Sequence, residues 1–125
     1  MATKKAVGSS RATTSRLRGR FPAHPCTRLL LEYDDERSGS FAPLRHVPDD
    51  KTVVLGLIST KRPQTEVPED LIRRITDASR FVPLERLALS PQCGFASSIV
   101  GNNLSIEDER RKLERMCETA RRIWG

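Results

Sequence analysis

The chain has 125 residues, which is enough for one domain of ordinary size. Its 22 Lys and Arg residues exceed its 16 Asp and Glu residues, so the net charge is +6. All of that excess lies in residues 1–20, which contain six basic residues and no acidic one. The rest of the chain is balanced and offers no basic face for phosphate contacts, which argues against nucleic acid as a partner.

Residues 1–22 are predicted to form a disordered tail, and residues 23–125 the folded part. The tail is rich in Ser, Thr and basic residues and cannot bury enough apolar surface to offset the entropy of ordering. Its acid-free composition resembles an organelle transit peptide, but only Val7 and Leu17 could form an apolar helix face. A plain disordered N-terminus is therefore the favoured interpretation, with organelle targeting as the alternative.

The sequence predicts neither export nor membrane insertion. Its first residues contain no apolar core of a secretory signal, and the longest apolar run, residues 53–58, is too short to span a bilayer. The three cysteines, Cys26, Cys93 and Cys117, are odd in number and irregularly spaced. We expect reduced thiols and a cytoplasmic location without membrane partners.

Three continuous apolar runs predict strands near residues 28–33, 53–58 and 86–90. Continuous runs, rather than alternating ones, are typical of strands that are buried on both faces. Pro68 with two acidic residues after it predicts a helix over 68–80, and a capping-box pattern at Ser105 predicts another over 105–123. The apolar stripe of this last helix includes Cys117, which we expect to be buried in the core.

Strands that alternate with helices predict an α/β fold with a parallel sheet and right-handed crossovers. Three strands that are apolar on both faces are too few for a stable open sheet, because their backbone edges and apolar faces would remain exposed to water. The pattern therefore predicts that the chain is part of a larger sheet or of a closed barrel.

Three segments in the same order resemble one family. They are Glu-Tyr-Asp-Asp-Glu-Arg-Ser-Gly-Ser-Phe at 32–41, Val-Leu-Gly-Leu-Ile-Ser-Thr-Lys at 54–61 and Leu-Ala-Leu-Ser-Pro-Gln-Cys-Gly-Phe at 87–95. They resemble the C-terminal catalytic barrel of the cobalamin-independent methionine synthase family, over residue 28 to Gly125. The resemblance implies a (β/α)8 TIM barrel, of which this chain supplies about the last three β/α units as a C-terminal fragment.

The same resemblance implies zinc as the cofactor, bound by one His, two Cys and one Glu. Cys93 matches the last zinc cysteine and Glu32 matches the zinc glutamate, whereas the strand with the His-x-Cys pair is missing. His24 and Cys26 have the spacing of that pair, but they lie too close to Glu32 for a separate barrel strand, so a structural or disordered role is favoured. Where other members have a histidine after the second strand, this chain has Ser and Thr.

Both candidate ligands follow apolar runs, which puts them at the carboxyl ends of strands, where barrel enzymes place their chemistry. Zinc holds a thiol as the reactive thiolate at neutral pH. Without the motif, Cys93 would be interpreted as a small buried hydrophobe and Glu32 as a solvated strand end. No residue is assigned a catalytic role beyond metal binding.

Two functional hypotheses follow. The first is an enzyme, a zinc-dependent 5-methyltetrahydropteroyltriglutamate–homocysteine S-methyltransferase of methionine biosynthesis, or a related enzyme that alkylates another small thiol. The second is a non-catalytic truncated fragment. For either, a complementary barrel fragment is a candidate partner, and we expect negligible turnover by residues 1–125 alone.

Overall fold

The computed structural model describes residues 3–4, 26–33, 39–95, 101 and 103–125. These residues form an α/β fold with one sheet and two helices. The strands are β1 (Thr3–Lys4), β2 (Arg28–Glu32), β3 (Thr52–Ile58) and β4 (Leu87–Pro91), and the helices are α1 (Pro68–Ala78) and α2 (Ile106–Trp124). Short 3-10 turns cover Ala42–His46 and Leu84–Arg86.

The sheet is parallel throughout, and its strand order is β1-β2-β3-β4. The three predicted strands and two predicted helices are confirmed to within two residues at each end. Thr3 and Lys4 pair with Leu30 and Leu31. The rest of the predicted tail lies outside the described residues, so its disorder stays a prediction.

The register gives the sheet two different faces. Leu29 aligns with Val53 and Leu87 on the first face, and the next row, two residues on, is also apolar. This face belongs to the buried core, to which α1 adds its buried residues Leu71, Ile75 and Ala78.

The second face carries the alternate residues of the same strands. Leu30, Val54 and Ala88 align in one row of this face, are only half-buried and lie outside the core cluster. The sheet is thus closed on one face and partly open on the other.

Local signals explain where the helices begin. Pro68 occupies the first turn of α1, with Glu69 and Asp70 beside the amino end of the helix dipole. At α2, the Ser105 hydroxyl accepts from the Asp108 amide at 3.1 Å, and the Asp108 carboxylate accepts from the Ser105 amide at 2.9 Å. Neither helix, nor any other within the described segments, is long and apolar enough to cross a membrane.

The buried face of α2 differs from the prediction in one respect. Cys117 is exposed, so its expected burial in the core is wrong. The fully buried residues of α2 are Lys112 and Thr119, while Met116 and Ile123 pack against the core from the same side. Their spacing of four, three and four residues defines a helical face that is rotated away from Cys117.

Candidate site at the carboxyl end of the sheet

Three strands end in a row of small and polar residues on the half-open face. Glu32, the last residue of β2, aligns with Gly56 of β3, and Gly56 aligns with Ser90 of β4. Glu32 and Ser90 are both half-buried. Neighbouring strands are about 4.8 Å apart, so the backbones of Glu32 and Ser90 are separated by about 10 Å with a glycine between them.

Gly56 keeps this separation open, because it places no side chain between the carboxylate and the hydroxyl. A Cβ at this position would lie 3.3 Å from the Leu31 carbonyl oxygen and 3.6 Å from the Pro91 carbonyl oxygen. One residue later the ladder is irregular: Gly56 aligns with Ser90, but Ile58 aligns with Pro91. The pairing therefore shifts register at Leu57, as at a β-bulge, which changes the direction of a strand next to many active sites.

Cys93 lies in the turn that follows β4, and its side chain is exposed. The turn is fixed at its start by the Gln92 amide, which donates to the Ile58 carbonyl at 3.0 Å. It continues through Gly94 at a φ of +101°, a conformation in which a side chain would be strained. The backbone thus leads Cys93 out at the same end of the sheet as Glu32.

Gln92 provides an unexpected feature of this turn. Its side-chain oxygen is buried and has no hydrogen-bond partner among the described residues. A buried acceptor without a partner costs about 1–3 kcal/mol, so such atoms are uncommon in complete folded proteins.

An ion pair with a fully buried lysine supports the segment after β3. The Lys112 side chain is fully buried, and its Nζ donates to the Gln64 carbonyl at 2.6 Å and to the Glu66 carboxylate at 3.1 Å. Oε1 of the same carboxylate accepts from the Ser59 amide at 2.8 Å. Glu66 therefore connects the end of β3 to α2.

Neither Lys112 nor Glu66 is among the candidate residues that the sequence motifs predict. The available signal is that Lys112 stands four residues before Met116 and seven before Thr119, on the buried face of α2. A lysine in that position needs an acidic or carbonyl partner elsewhere in the fold.

An aromatic cluster lies beside the end of β2. Burial raises the pKa of Tyr33 to about 12, so its phenol is neutral at physiological pH. Its ring centroid is 4.8 Å from that of Phe41, and the Arg74 guanidinium lies 5.7 Å from the centroid of the Phe41 ring. Arg74 also donates to the Tyr33 carbonyl, which links α1 to the residue that follows Glu32.

The described residues do not by themselves form a complete metal site. They contain no group of three or more His, Cys, Asp or Glu side chains that could hold an ion. A zinc site needs at least three protein ligands, and Glu32 with Cys93 would supply two. Their assignment as ligands therefore stays a prediction.

Cys26 lies at the wrong end of the sheet to complete this pair. It precedes the amino end of β2 and packs against the core. It lies six positions before Glu32, which corresponds to about 20 Å along an extended strand. His24, the other half of that candidate pair, is outside the described residues.

The chain is similar to one protein family in a family model, in two relatives and in a solved structure. The profile described as "Cobalamin-independent synthase, Catalytic domain" matches residues 29–122. Two uncharacterized proteins of Bacillus subtilis (strain 168), YxjH and YxjG, are 53% and 52% identical to the chain over 97 residues. That match covers 77% of this chain and 26% of each relative, so the chain spans about a quarter of their length.

A solved structure agrees with this family. It is a protein of Listeria monocytogenes that is proposed to be a vitamin B12-independent methionine synthase. It superposes with a TM-score of 0.64 and 35% sequence identity, over 87% of this chain and 31% of that protein. The chain therefore belongs to the cobalamin-independent synthase family and matches its catalytic domain.

Proposed function

We propose that the chain is the C-terminal part of a (β/α)8 barrel that catalyses zinc-dependent methyl transfer from 5-methyltetrahydropteroyltriglutamate to homocysteine, which yields methionine. The observation that carries this proposal is the parallel register. It aligns Glu32, Gly56 and Ser90 on one face at the carboxyl ends of three strands, with the Cys93 turn directly beyond. In barrel enzymes the carboxyl ends of the strands form the active site.

The two faces of the sheet support the barrel. In a (β/α)8 barrel, helices cover the outer face of the strands, and layers of apolar side chains from several strands fill the interior. The buried face has the character of the outer layer, and the row of Leu30, Val54 and Ala88 has that of one interior layer. The strands that would complete this layer belong to the part of the family fold that this chain does not span.

Glu32 and Cys93 are proposed as two of the zinc ligands, with the others supplied by the earlier part of the barrel. When bound, zinc would keep the acceptor thiol in its thiolate form. Within this chain, Gly56 leaves the space between the two ligands clear. The buried Gln92 side-chain oxygen, which has no hydrogen-bond partner in the described segments, is consistent with a donor from the rest of the barrel or from a substrate.

A second candidate is a related enzyme that alkylates a different small thiol. It is favoured by the residues after β3, Ser59 and Thr60, which stand where the resemblance implies a histidine. Both are buried, with 3% and 0% exposure, so neither side chain replaces an exposed imidazole.

The test combines the chain with a polypeptide that carries the preceding part of the barrel, taken from a relative. We expect methionine formation from homocysteine and the methylated folate only in the mixture, with zinc retained only there. Cys93→Ser should abolish both, whereas Cys117→Ser, at the other exposed cysteine, should change neither.

Each other outcome has a defined meaning. Methionine formation by the chain alone would contradict the incomplete-barrel proposal. A mixture that retains zinc and alkylates another thiol, but not homocysteine, would favour the second candidate. A mixture that forms a stable complex but neither binds zinc nor transfers a methyl group would support the non-catalytic fragment.

A further inference from the structure

The Lys112–Glu66 ion pair is hydrogen-bonded to the main chain of the candidate site. The Glu66 carboxylate accepts from the Ser59 amide, and Ser59 directly follows Ile58. The Ile58 carbonyl in turn accepts from the Gln92 amide, one residue before Cys93. Ser59 and the Cys93 turn are therefore held side by side where β3 and β4 end.

Burial of the Lys112 ammonium carries a free-energy cost that its partners must offset. Desolvating an ammonium group costs several kcal/mol, and an apolar residue of similar volume would often be as stable or more stable. Here Lys112 is fully buried and the Glu66 side chain is 21% exposed. The ammonium donates to two acceptors in the segment between β3 and α1, the Gln64 carbonyl and the Glu66 carboxylate. These bonds hold residues 64 and 66 against α2.

We propose that Lys112 is a positioning residue. Through Glu66 it holds the segment that begins at Ser59 against the Cys93 turn, and so sets the distance between Ser59 and this turn, which we call the site mouth. The proposal rests on the proposed function for the identity of the site. The connection from Lys112 through Glu66 to the Ser59 amide, called the tether below, lies within this chain alone. Lys112 and Glu66 do not contact the reacting groups in this proposal, and they act on the site only through the Ser59 main chain.

The first experiment measures amide hydrogen exchange in the full chain by NMR, for the wild type, Lys112→Met, Glu66→Ala and the double variant. Each single variant should raise the exchange rate of the Ser59 amide by about ten- to hundredfold relative to the Leu55 amide, as expected for loss of a charge-assisted hydrogen bond. The double variant should be no faster at Ser59 than Glu66→Ala, because Lys112 acts through that carboxylate.

Matched variants separate the tether from general destabilisation. Arg110→Met removes a cation from the exposed side of the same helix, where Arg110 pairs with Glu107 at 3.1 Å, and should leave Ser59 unchanged. Lys112→Arg keeps the charge and should restore part of the protection, which also provides a second variant if Lys112→Met fails to fold. Equal acceleration at Ser59 and Leu55 in both Lys112 variants would overturn the proposal.

The second experiment uses the chain completed with the preceding barrel part. Lys112→Met should raise the KM for the thiol acceptor about tenfold with kcat changed less than twofold, because the mouth is displaced while the proposed ligands remain. An equal fall in kcat with unchanged KM would overturn the positioning role. Because hydrogen exchange needs no turnover, failure of the proposed methyl transfer and failure of the tether are distinguishable.

Discussion

Val53 and Val54 allow the two faces of the sheet to be compared with a single type of substitution. They are consecutive residues of β3, but Val53 is 0% exposed in the core and Val54 lies on the half-open face. Val→Ala removes two methyl groups from each. At Val53 the transfer term is about 1.6 kcal/mol, and the cavity raises the loss to roughly 2–3 kcal/mol. At Val54 part of the transfer term is already lost to solvent and no closed cavity forms, so we expect only about 1 kcal/mol.

Denaturant unfolding of the isolated chain measures both losses, with unchanged m-values as the check that the denatured state is the same. By thermal unfolding the difference corresponds to roughly 4–8 °C for each kcal/mol in a domain of this size. Equal losses at the two positions would refute the assignment of an open face.

The same pair of variants also tests the barrel. When the preceding barrel part is added, Val54 should become an interior residue, and its loss should rise to that of Val53. A loss at Val54 that stays at about 1 kcal/mol in a stable complex would contradict the interior layer.

Three further predictions concern single side chains. Lys112→Met should lower the free energy of unfolding by no more than about 1 kcal/mol, because methionine keeps the apolar volume of the lysine and the Glu66 carboxylate, 21% exposed, stays in contact with water; denaturant titration measures this, and a loss above about 3 kcal/mol would contradict it. Since the folded pKa of Tyr33 is raised to about 12, stability should be unaffected below pH 10 and fall as the pH rises from about 10 to 12. Tyr33 is the single tyrosine, so ultraviolet titration reports it directly, and the fall should be smaller in Tyr33→Phe. A thiol reagent should label Cys93 and Cys117 rapidly and the half-buried Cys26 slowly. Rapid labelling of Cys93 alone would instead indicate that Cys117 is buried in the core.

The strands and helices could be predicted because their signals are local. The apolar runs of β2, β3 and β4 are bounded by charge or by Ser and Pro, and Ser105 caps α2 through a residue only three positions away. These signals need no knowledge of the rest of the fold.

The inner side of α2 could not be predicted in the same way. The apolar pattern of α2 excludes Lys112 from the buried face, because its partner Glu66 is 46 residues away and only the fold brings the two together. Without the lysine the apolar stripe centres on Cys117, so the sequence pattern wrongly predicts that Cys117 is buried. The proposed zinc ligands raise a similar difficulty, since Glu32 and Cys93 are predicted from family motifs alone, and the described residues contain no group of three side chains that could hold an ion.

The parallel register also has a consequence for how the chain folds. β2 pairs Arg28 with Thr52, and β3 pairs Val53 with Leu87, so each ladder closes a loop of some tens of residues before its first contact forms. Both ladders among β2, β3 and β4 include β3. The entropy cost of closing either loop is therefore offset by strand pairing only after β3 has become extended. Pairings of such sequence separation are slow to form compared with helical or hairpin contacts. The central strand should therefore carry the highest φ-values of the sheet and set the folding rate of the chain.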